Sequence, residues 1–499
     1  MAKQYTILIE RRDTMLGKWR SHAEYQQYLI DALRMEKQRN PQSVTDFETS
    51  IQKLYRMNLD SVKDDFAGLF SYTGRPSNYQ PEMFRAFILM CDQKEADIDK
   101  WIKTAKATPV FCAIVGVSPA NFPGASTLRD FIKRLWAFEV PNRIVKAEPK
   151  PKHTYGNDKM PPKNPGIIQE LVDKALEGYE FDDIPEIILQ NIFNEVAIKP
   201  SIAESLIHNP QNVIISGDGT CIESHSSSRG KRVCSCQSEC ECGRSFADPC
   251  ADWGWDSYHK RWFYGHTGYF FSTYNPELKL NLPLYLRFEK ASAYDGTTFI
   301  KAFSHARVLW QGLLNIDSFV GDSAHDNLAT YNLLISRKVK AFIDLNPKND
   351  ITDNNSSLTL SKNGVPVCAD GYDMINWGFD KKRFRIKYRC PLALGRIKDC
   401  PYADNCNKTP YGKTVYIYMV ESPRFLTPVP RGTDEWKLIY NRRTASERIN
   451  NRILTDYQLE RPKRYGKMKL AFFAFMNAVN VHLDARVKFG SPVSIALTV

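Results

Sequence analysis

Three features of the sequence predict a multidomain chain, helical at first and α/β beyond. Its 499 residues exceed one ordinary core. Apolar residues recur at spacings of three and four through roughly the first 145 positions. From about residue 211 they gather instead into short β-branched and aromatic runs separated by helical stretches. With 43% hydrophobic and 12% aromatic residues, burial is not limited by material. The opening MAKQYTILIERRDTMLGKWR lacks an apolar run of signal-peptide length, and nowhere do eighteen apolar residues follow one another. The expectation is a soluble cytoplasmic protein without membrane contact. In that compartment its twelve cysteines are thiols or metal ligands rather than disulfides.

SHAEYQQYLIDALRMEKQ, SVTDFETSIQKLYRMNL, QPEMFRAFILMCDQ and ASTLRDFIKRLWAF each read as amphipathic helices, the last with Ser126 as N-cap, and together make a helical domain over 1–146. Residues 147–166, dense in Pro, Lys, Gly and Asn, form a linker, and 167–210 a helical lead-in. A first α/β part follows over 211–345. Strands are expected at 212–218, 261–274, 282–292, 316–322 and 339–345, with helices at 295–310 and 325–337. Residues 346–430 read as an irregular, basic insertion. The last part, 431–487, opens with one helix from about Asp434 to Tyr457.

Charge narrows the partner. Residues 381–398 hold eight Lys/Arg and no Asp/Glu, and residues 431–470 hold eleven against five, so the rest of a chain of net charge +12 sums to −2. Clustered cations on a balanced protein are the footprint of a polyanion, because phosphate neutralisation and counterion release need them close together. Double-stranded DNA is the leading partner.

Two Val/Ile/Phe-rich strands end in Gly-Asp, IISGDGT at Asp218 and SFVGDSAHD at Asp322. Either could be an ordinary turn or helix cap. Adjacent central strands would instead bring the two tips together, with a third carboxylate, Glu447, on the helix YNRRTASERINNR. Alone, that Arg-rich helix is a solvated face. Three convergent carboxylates need a cation between them, and hard oxygen ligands suit Mg²⁺ or Mn²⁺. Two such ions serve in-line displacement at phosphorus.

The element order and the segments GDGT, GYFFSTYNPELKLNLPLYLRFEKASAYDGTTF, VGDSAHDN and YNRRTASERINN resemble the DDE transposases of bacterial insertion sequences. That resemblance implies a ribonuclease H-like mixed-sheet catalytic domain, interrupted by the insertion, with Asp218, Asp322 and Glu447 as catalytic metal ligands. It further implies cut-and-paste transposition: binding of inverted-repeat ends, Mg-dependent cleavage, joining of the 3′-OH ends to target DNA, and a homodimer on paired ends in the bacterial nucleoid. GRPSNYQPEMFRAFIL and FPGASTLRDFIKRL look like the amino-terminal region that binds transposon ends in such enzymes. Tyr440, Arg443 and Glu447 match the family's last-helix pattern, but Leu454 stands where it has lysine. At about 100° per residue these four positions share roughly 60° of helix, while Arg442 and Arg452 point elsewhere. Tyr440 and Arg443 are expected on DNA, with Arg442, Arg448 and Lys463 as further basic contacts. A metal-dependent nuclease without strand transfer and a zinc-bearing DNA-binding regulator remain as rivals.

Cys368, Cys390, Cys400 and Cys406 in the insertion could close a tetrahedral zinc site or remain reduced thiols. Cys234, Cys236, Cys240, Cys242 and Cys250 form a tighter cluster, a weaker zinc candidate than the insertion's four, with a flexible reduced loop as the alternative. His325 reads as a helix-start residue. Trp377 reads as a core residue, with stacking on an unpaired base as the alternative.

Overall fold

A computed structural model of the chain describes residues 16–70, 76–137, 145–146, 166–181, 184–346 except 239 and 241, 359–492 except 362–363, 381, 384, 407–408, 419–422, 426, 432 and 461–465, and 495. The expected linker lies almost wholly outside these residues, as does Lys463.

The amino-terminal region is helical because its signals agree with one another. Ser21 and Glu24 form a reciprocal capping box at the start of His22–Arg39, satisfying two of the amide donors that a helix leaves open. The helix expected to be capped by Ser126 begins earlier, at Ala125, with Gly124 at the N-cap and no side-chain cap. The lead-in forms helices Gly166–Leu176, Ile187–Phe193 and Lys199–Ala203, the last two joined by a π-turn over Asn194–Ile198.

Twelve strands occur among the described residues. They are β1 (Val145–Lys146), β2 (Val213–Glu223), β3 (Lys231–Arg232), β4 (Arg244–Ser245), β5 (Asp252–Asp256), β6 (Arg261–Asn275), β7 (Leu280–Lys290), β8 (Ile316–Gly321), β9 (Lys340–Ile343), β10 (Ile375–Asp380), β11 (Arg385–Arg389) and β12 (Thr414–Tyr418). The main sheet runs β6-β2-β8-β9, with β5 and β7 both paired to β6. It is mixed. β7, β6 and β2 are antiparallel neighbours, whereas β2, β8 and β9 are parallel. The Asp295–Leu309 helix makes the crossover from β7 to β8.

Both faces of this sheet are covered, which is why β2 and β8 read as near-continuous apolar runs. Phe319 of β8 packs on Phe299 of the Asp295–Leu309 helix, with ring centroids 4.3 Å apart. On the other face Val320 and Phe342 cluster with Trp436, and Ser446 Oγ donates to Ser216 Oγ at 2.7 Å. The segment expected as one helix from Asp434 to Tyr457 is divided. It comprises Asp434–Tyr440, a 3₁₀ turn over Asn441–Arg443, Thr444–Asn451 and a π-turn over Arg452–Asp456.

One apolar core runs from Tyr25 to Ala485 and joins the amino-terminal helices to the sheet. The connecting piece is the helix Lys467–Phe489, buried on nearly every side. Phe472 meets Phe87 edge-on at 4.8 Å, and Asn480 Nδ2 donates to the Ile88 carbonyl. Facing the sheet, His482 holds the Pro283 carbonyl of β7 through Nε2 at 2.7 Å. No helix among the described residues is long and apolar enough to cross a membrane.

The insertion is less irregular than its composition suggests. β10, β11 and β12 form an antiparallel sheet over a small core of Met374, Ile386, Tyr388 and Ile417. Clustered Lys and Arg obscured the alternation because they stack on aromatic rings. Arg385 lies 3.9 Å from the Tyr416 ring centroid, and Arg389 lies 3.5 Å from Tyr411 and 4.4 Å from Trp377. Trp377 is half-exposed, not a core residue.

Candidate active site

The register of β2 against β8 positions the two aspartates. Ser216 pairs with Val320 in parallel, and Asp322 keeps an extended backbone (φ −79°, ψ −178°) beyond the end of β8. That last pair lies two residues before each aspartate; Asp218 sits inside β2, which runs on to Glu223 rather than ending at the Gly-Asp as expected, and is close enough to Asp322 for the two carboxylates to repel. A third carboxylate, which the sequence reading passed over, joins them. Asp295, at the first position of its helix, accepts the Gly219 N–H.

Gly219 is required by this approach. A Cβ there would lie 2.3 Å from Asp295 Oδ1, against a carboxylate that the glycine's own amide holds in place. Gly219→Ala is therefore expected to lower unfolding free energy by about 1–3 kcal/mol through overpacking. Denaturant melts of the purified variant check this, and an unchanged midpoint would refute the contact.

The electrostatics follow from the crowding. Burial, then repulsion from Asp295 and Asp322, pushes Asp218 up to about 7, against the partial relief given by His325 and Arg443. Asp295 is raised as well, mainly by burial. Asp322 moves the other way: burial opposes it, but the hydrogen bond and charge of His325 outweigh that and hold it below the usual carboxylate range. Fully buried His325 is driven down by burial, yet ends above its ordinary value because Asp322, Asp295 and Asp218 favour its cation. Its Nδ1 lies 2.8 Å from Asp322 Oδ1 and its Nε2 lies 2.8 Å from the Tyr269 hydroxyl, both at hydrogen-bond distance.

Glu447 stands on the same sheet face, one residue after Ser446. Its carboxylate is about half-exposed (48%) and ion-paired to Arg443 Nη2 at 2.8 Å. Arg443 also acts electrostatically on Asp218 and Asp322, favouring the charged form of each. Asn450, one turn beyond Glu447, donates Nδ2 to Asp218 Oδ2 at 3.4 Å and leaves its buried Oδ1 without a partner among the described residues. Spacing of i to i+3 on the glutamate's helix could have revealed Asn450. Among the described residues Asp218, Asp322 and Glu447 do not bring ligand oxygens all within 4.8 Å of one another.

No protein-family model and no curated protein matches this chain.

The remaining expected DNA contacts are placed differently from one another. Tyr440 stacks on Trp436 with centroids 4.5 Å apart and packs beside the Val320 cluster, so it is half-buried. Arg448 is exposed. Arg442 lines a groove with His208, Tyr274, Asp317 and Lys340 near the start of β2, away from Asp218. Arg452 pairs with Asp484, and Leu454 is buried in the main core. The 3₁₀ and π turns flanking Thr444–Asn451 break the continuous helical phase that put Tyr440 and Leu454 on the glutamate's face.

The cysteines divide into two sites. Cys234, Cys236, Cys240 and Cys242 place their sulfurs all within 4.8 Å of one another and could hold a metal ion. Cys250 is not in that group. Arg232 donates to Cys234 Sγ at 3.3 Å and draws that thiol down to about 6. Cys368, Cys390, Cys400 and Cys406 line one cavity of about 230 Å³ with Asp370, but their sulfurs do not close to that distance. The cluster favoured from sequence is thus the looser of the two.

Proposed function

We propose that this chain is a DNA transposase that cleaves phosphodiester bonds at transposon inverted-repeat ends and joins the freed 3′-OH ends to target DNA. The observation that carries this reading is the parallel pairing of β2, which bears Asp218, with β8, which leads into Asp322, under a helix that bears Glu447 and bonds to β2 through Ser446. The strand order supports treating the sheet as ribonuclease H-like. The exposed Arg448 and the arginine-on-aromatic face of the insertion suit a phosphate backbone with unpaired bases.

The donor set fits hard divalent cations: every group is an oxygen, Asp218 is crowded enough to hold its proton to about 7, and Asn450 Oδ1 is orphaned among the described residues. Asp218, Asp322 and Glu447 would hold Mg²⁺ or Mn²⁺, which activates the attacking oxygen and stabilises the leaving one. The protein's own residues do the rest. His325, braced by Tyr269, fixes Asp322 in its ionised form. Ser446 and Ser216 lock the glutamate helix onto β2. Arg443 is the cation that an incoming phosphate competes for, and its release from Glu447 frees that carboxylate to turn toward the aspartates. The protein would act as a dimer, one protomer for each end of the element.

The test is a supercoiled donor plasmid carrying the flanking inverted repeats, incubated with Mg²⁺ and either wild type or Asp218→Ala, Asp322→Ala and Glu447→Ala. Cleavage is expected to vanish in each variant, with DNA binding kept. Cleavage without joining of 3′ ends would reduce the protein to a nuclease. DNA binding without any wild-type cleavage would make it a regulator and overturn the proposal.

A further inference from the structure

The cysteines at 234, 236, 240 and 242 sit in a hairpin too small to hold itself together. β3 and β4 contribute two residues each, and their third partner, β1, also has two. Strands this short do not persist in water unaided. Val233 is half-exposed, while Phe246, just past β4, is buried with its ring against Gly230 and so packs the base of the hairpin rather than its turn. The turn needs another tie.

The sulfur geometry indicates what. Cys234 and Cys240 are 3.3 Å apart and Cys236 and Cys242 3.8 Å apart, well beyond the ~2.0 Å of a disulfide. With zinc–sulfur bonds of about 2.3 Å, the edges of a tetrahedral tetrathiolate measure about 3.8 Å. The two C-x-C arms cross at a spacing of six, as four ligands around one centre do. Arg232 reaches over the group, donating to the carbonyls of Cys236 and Ser238 and to the sulfurs of Cys234 and Cys240, so a cation already faces the charge that four thiolates would carry.

We propose that these four cysteines bind one Zn²⁺ as a structural tetrathiolate, and that the ion fastens residues 145–146 to the sheet domain. The route is continuous. The metal closes the 231–245 hairpin, and β4 within it pairs Ser245 with Val145 and Arg244 with Lys146, the segment that follows the amino-terminal helices. The hairpin is mounted on the far end of β2, the strand carrying Asp218. Just beyond β4, buried Asp248 accepts from Ser224 Oγ at 2.8 Å, His266 Nε2 at 2.9 Å and the Gly466 amide at 3.0 Å. Zinc here ties the helical region to the catalytic strand, and this assignment does not depend on the reaction proposed above.

The experiment uses the full chain, reduced and stripped of metal. Native alkylation with a slow iodoacetamide reagent, with and without added Zn²⁺, is mapped by mass spectrometry. Cys234, Cys236, Cys240 and Cys242 are expected to be protected together, at least tenfold, and amide exchange at 145–146 and 231–245 to slow in the same samples. The Cys236→Ser/Cys242→Ser double variant should carry one zinc fewer per chain by atomic spectrometry, whatever the insertion's cysteines hold. Equal alkylation rates with and without Zn²⁺, or an unchanged zinc content in the double variant, would overturn the site. Protection without slowed exchange at 145–146 would overturn the fastening.

Discussion

Asp218→Asn should make the metal-free protein more stable while abolishing DNA cleavage. In the folded chain Asp218 keeps its proton up to about 7, whereas an unfolded carboxyl releases it near 4. Between those values the native state binds the extra proton, so stability drains away as pH rises from about 4 to about 7 and stays low above. An asparagine has no charge to confine and escapes this loss. Asp218 retains some solvent contact, so we expect a gain of about 2 kcal/mol at pH 8, below the full linkage value of about 4 kcal/mol. The gain should shrink toward pH 4.5. Activity should fall by on the order of 10⁴-fold, as when a catalytic group is removed outright. Denaturant unfolding at the two pH values and a plasmid-cleavage assay measure both effects. Mg²⁺ should then raise the wild-type midpoint and leave the variant's unchanged. A gain that grew at acid pH would show that crowding does not govern this site.

Arg424→Ala is the second large effect, and it falls on folding. Asp326, immediately after the His325 turn, is buried and receives Arg424 through Nε at 2.8 Å and Nη2 at 2.5 Å. It also accepts from Tyr331 at 3.2 Å and the Asn346 amide at 2.7 Å. Arg431 completes the hook by donating to the Ile343 carbonyl of β9 and to the Tyr331 hydroxyl. Here the chain returning from the insertion is pinned to the sheet edge. Removing one partner of a buried pair leaves the other's desolvation uncompensated, at a cost of about 3–5 kcal/mol. The paired change Asp326→Asn with Arg424→Met should recover most of it. A single-variant loss under 1 kcal/mol would mean that the insertion is held by other contacts.

The central sheet was legible because its strands are apolar on both faces and its punctuation is strong. Arg261–Asn275 and Leu280–Lys290 formed nearly where β-branched and aromatic enrichment put them. Asp218 and Asp322 stood out for the same reason, as polar residues inside or ending apolar runs. Less of the glutamate segment could be read. Periodicity cannot foresee a 3₁₀ turn at Asn441–Arg443, since the residues keep helical torsions while the phase slips. Asp295 was invisible because its role comes from contact with Gly219 across 76 positions. The insertion's strands were hidden by charge, since stacked arginines look polar in sequence while their stems cover aromatic rings.

The helix Lys467–Phe489 has a bearing on how the molecule is made in a cell. Its partners include Phe87 and Ile88 on one side and Pro283 on the other; Pro283 leaves the ribosome 199 residues before its partner His482, and Ile88 392 residues before Asn480. Until it emerges, two oily surfaces lie bare on the nascent chain, and such long-range closure is slow. Any product released short of residue 467 would be a client for chaperones or proteases, which makes full translation the gate on competent protein.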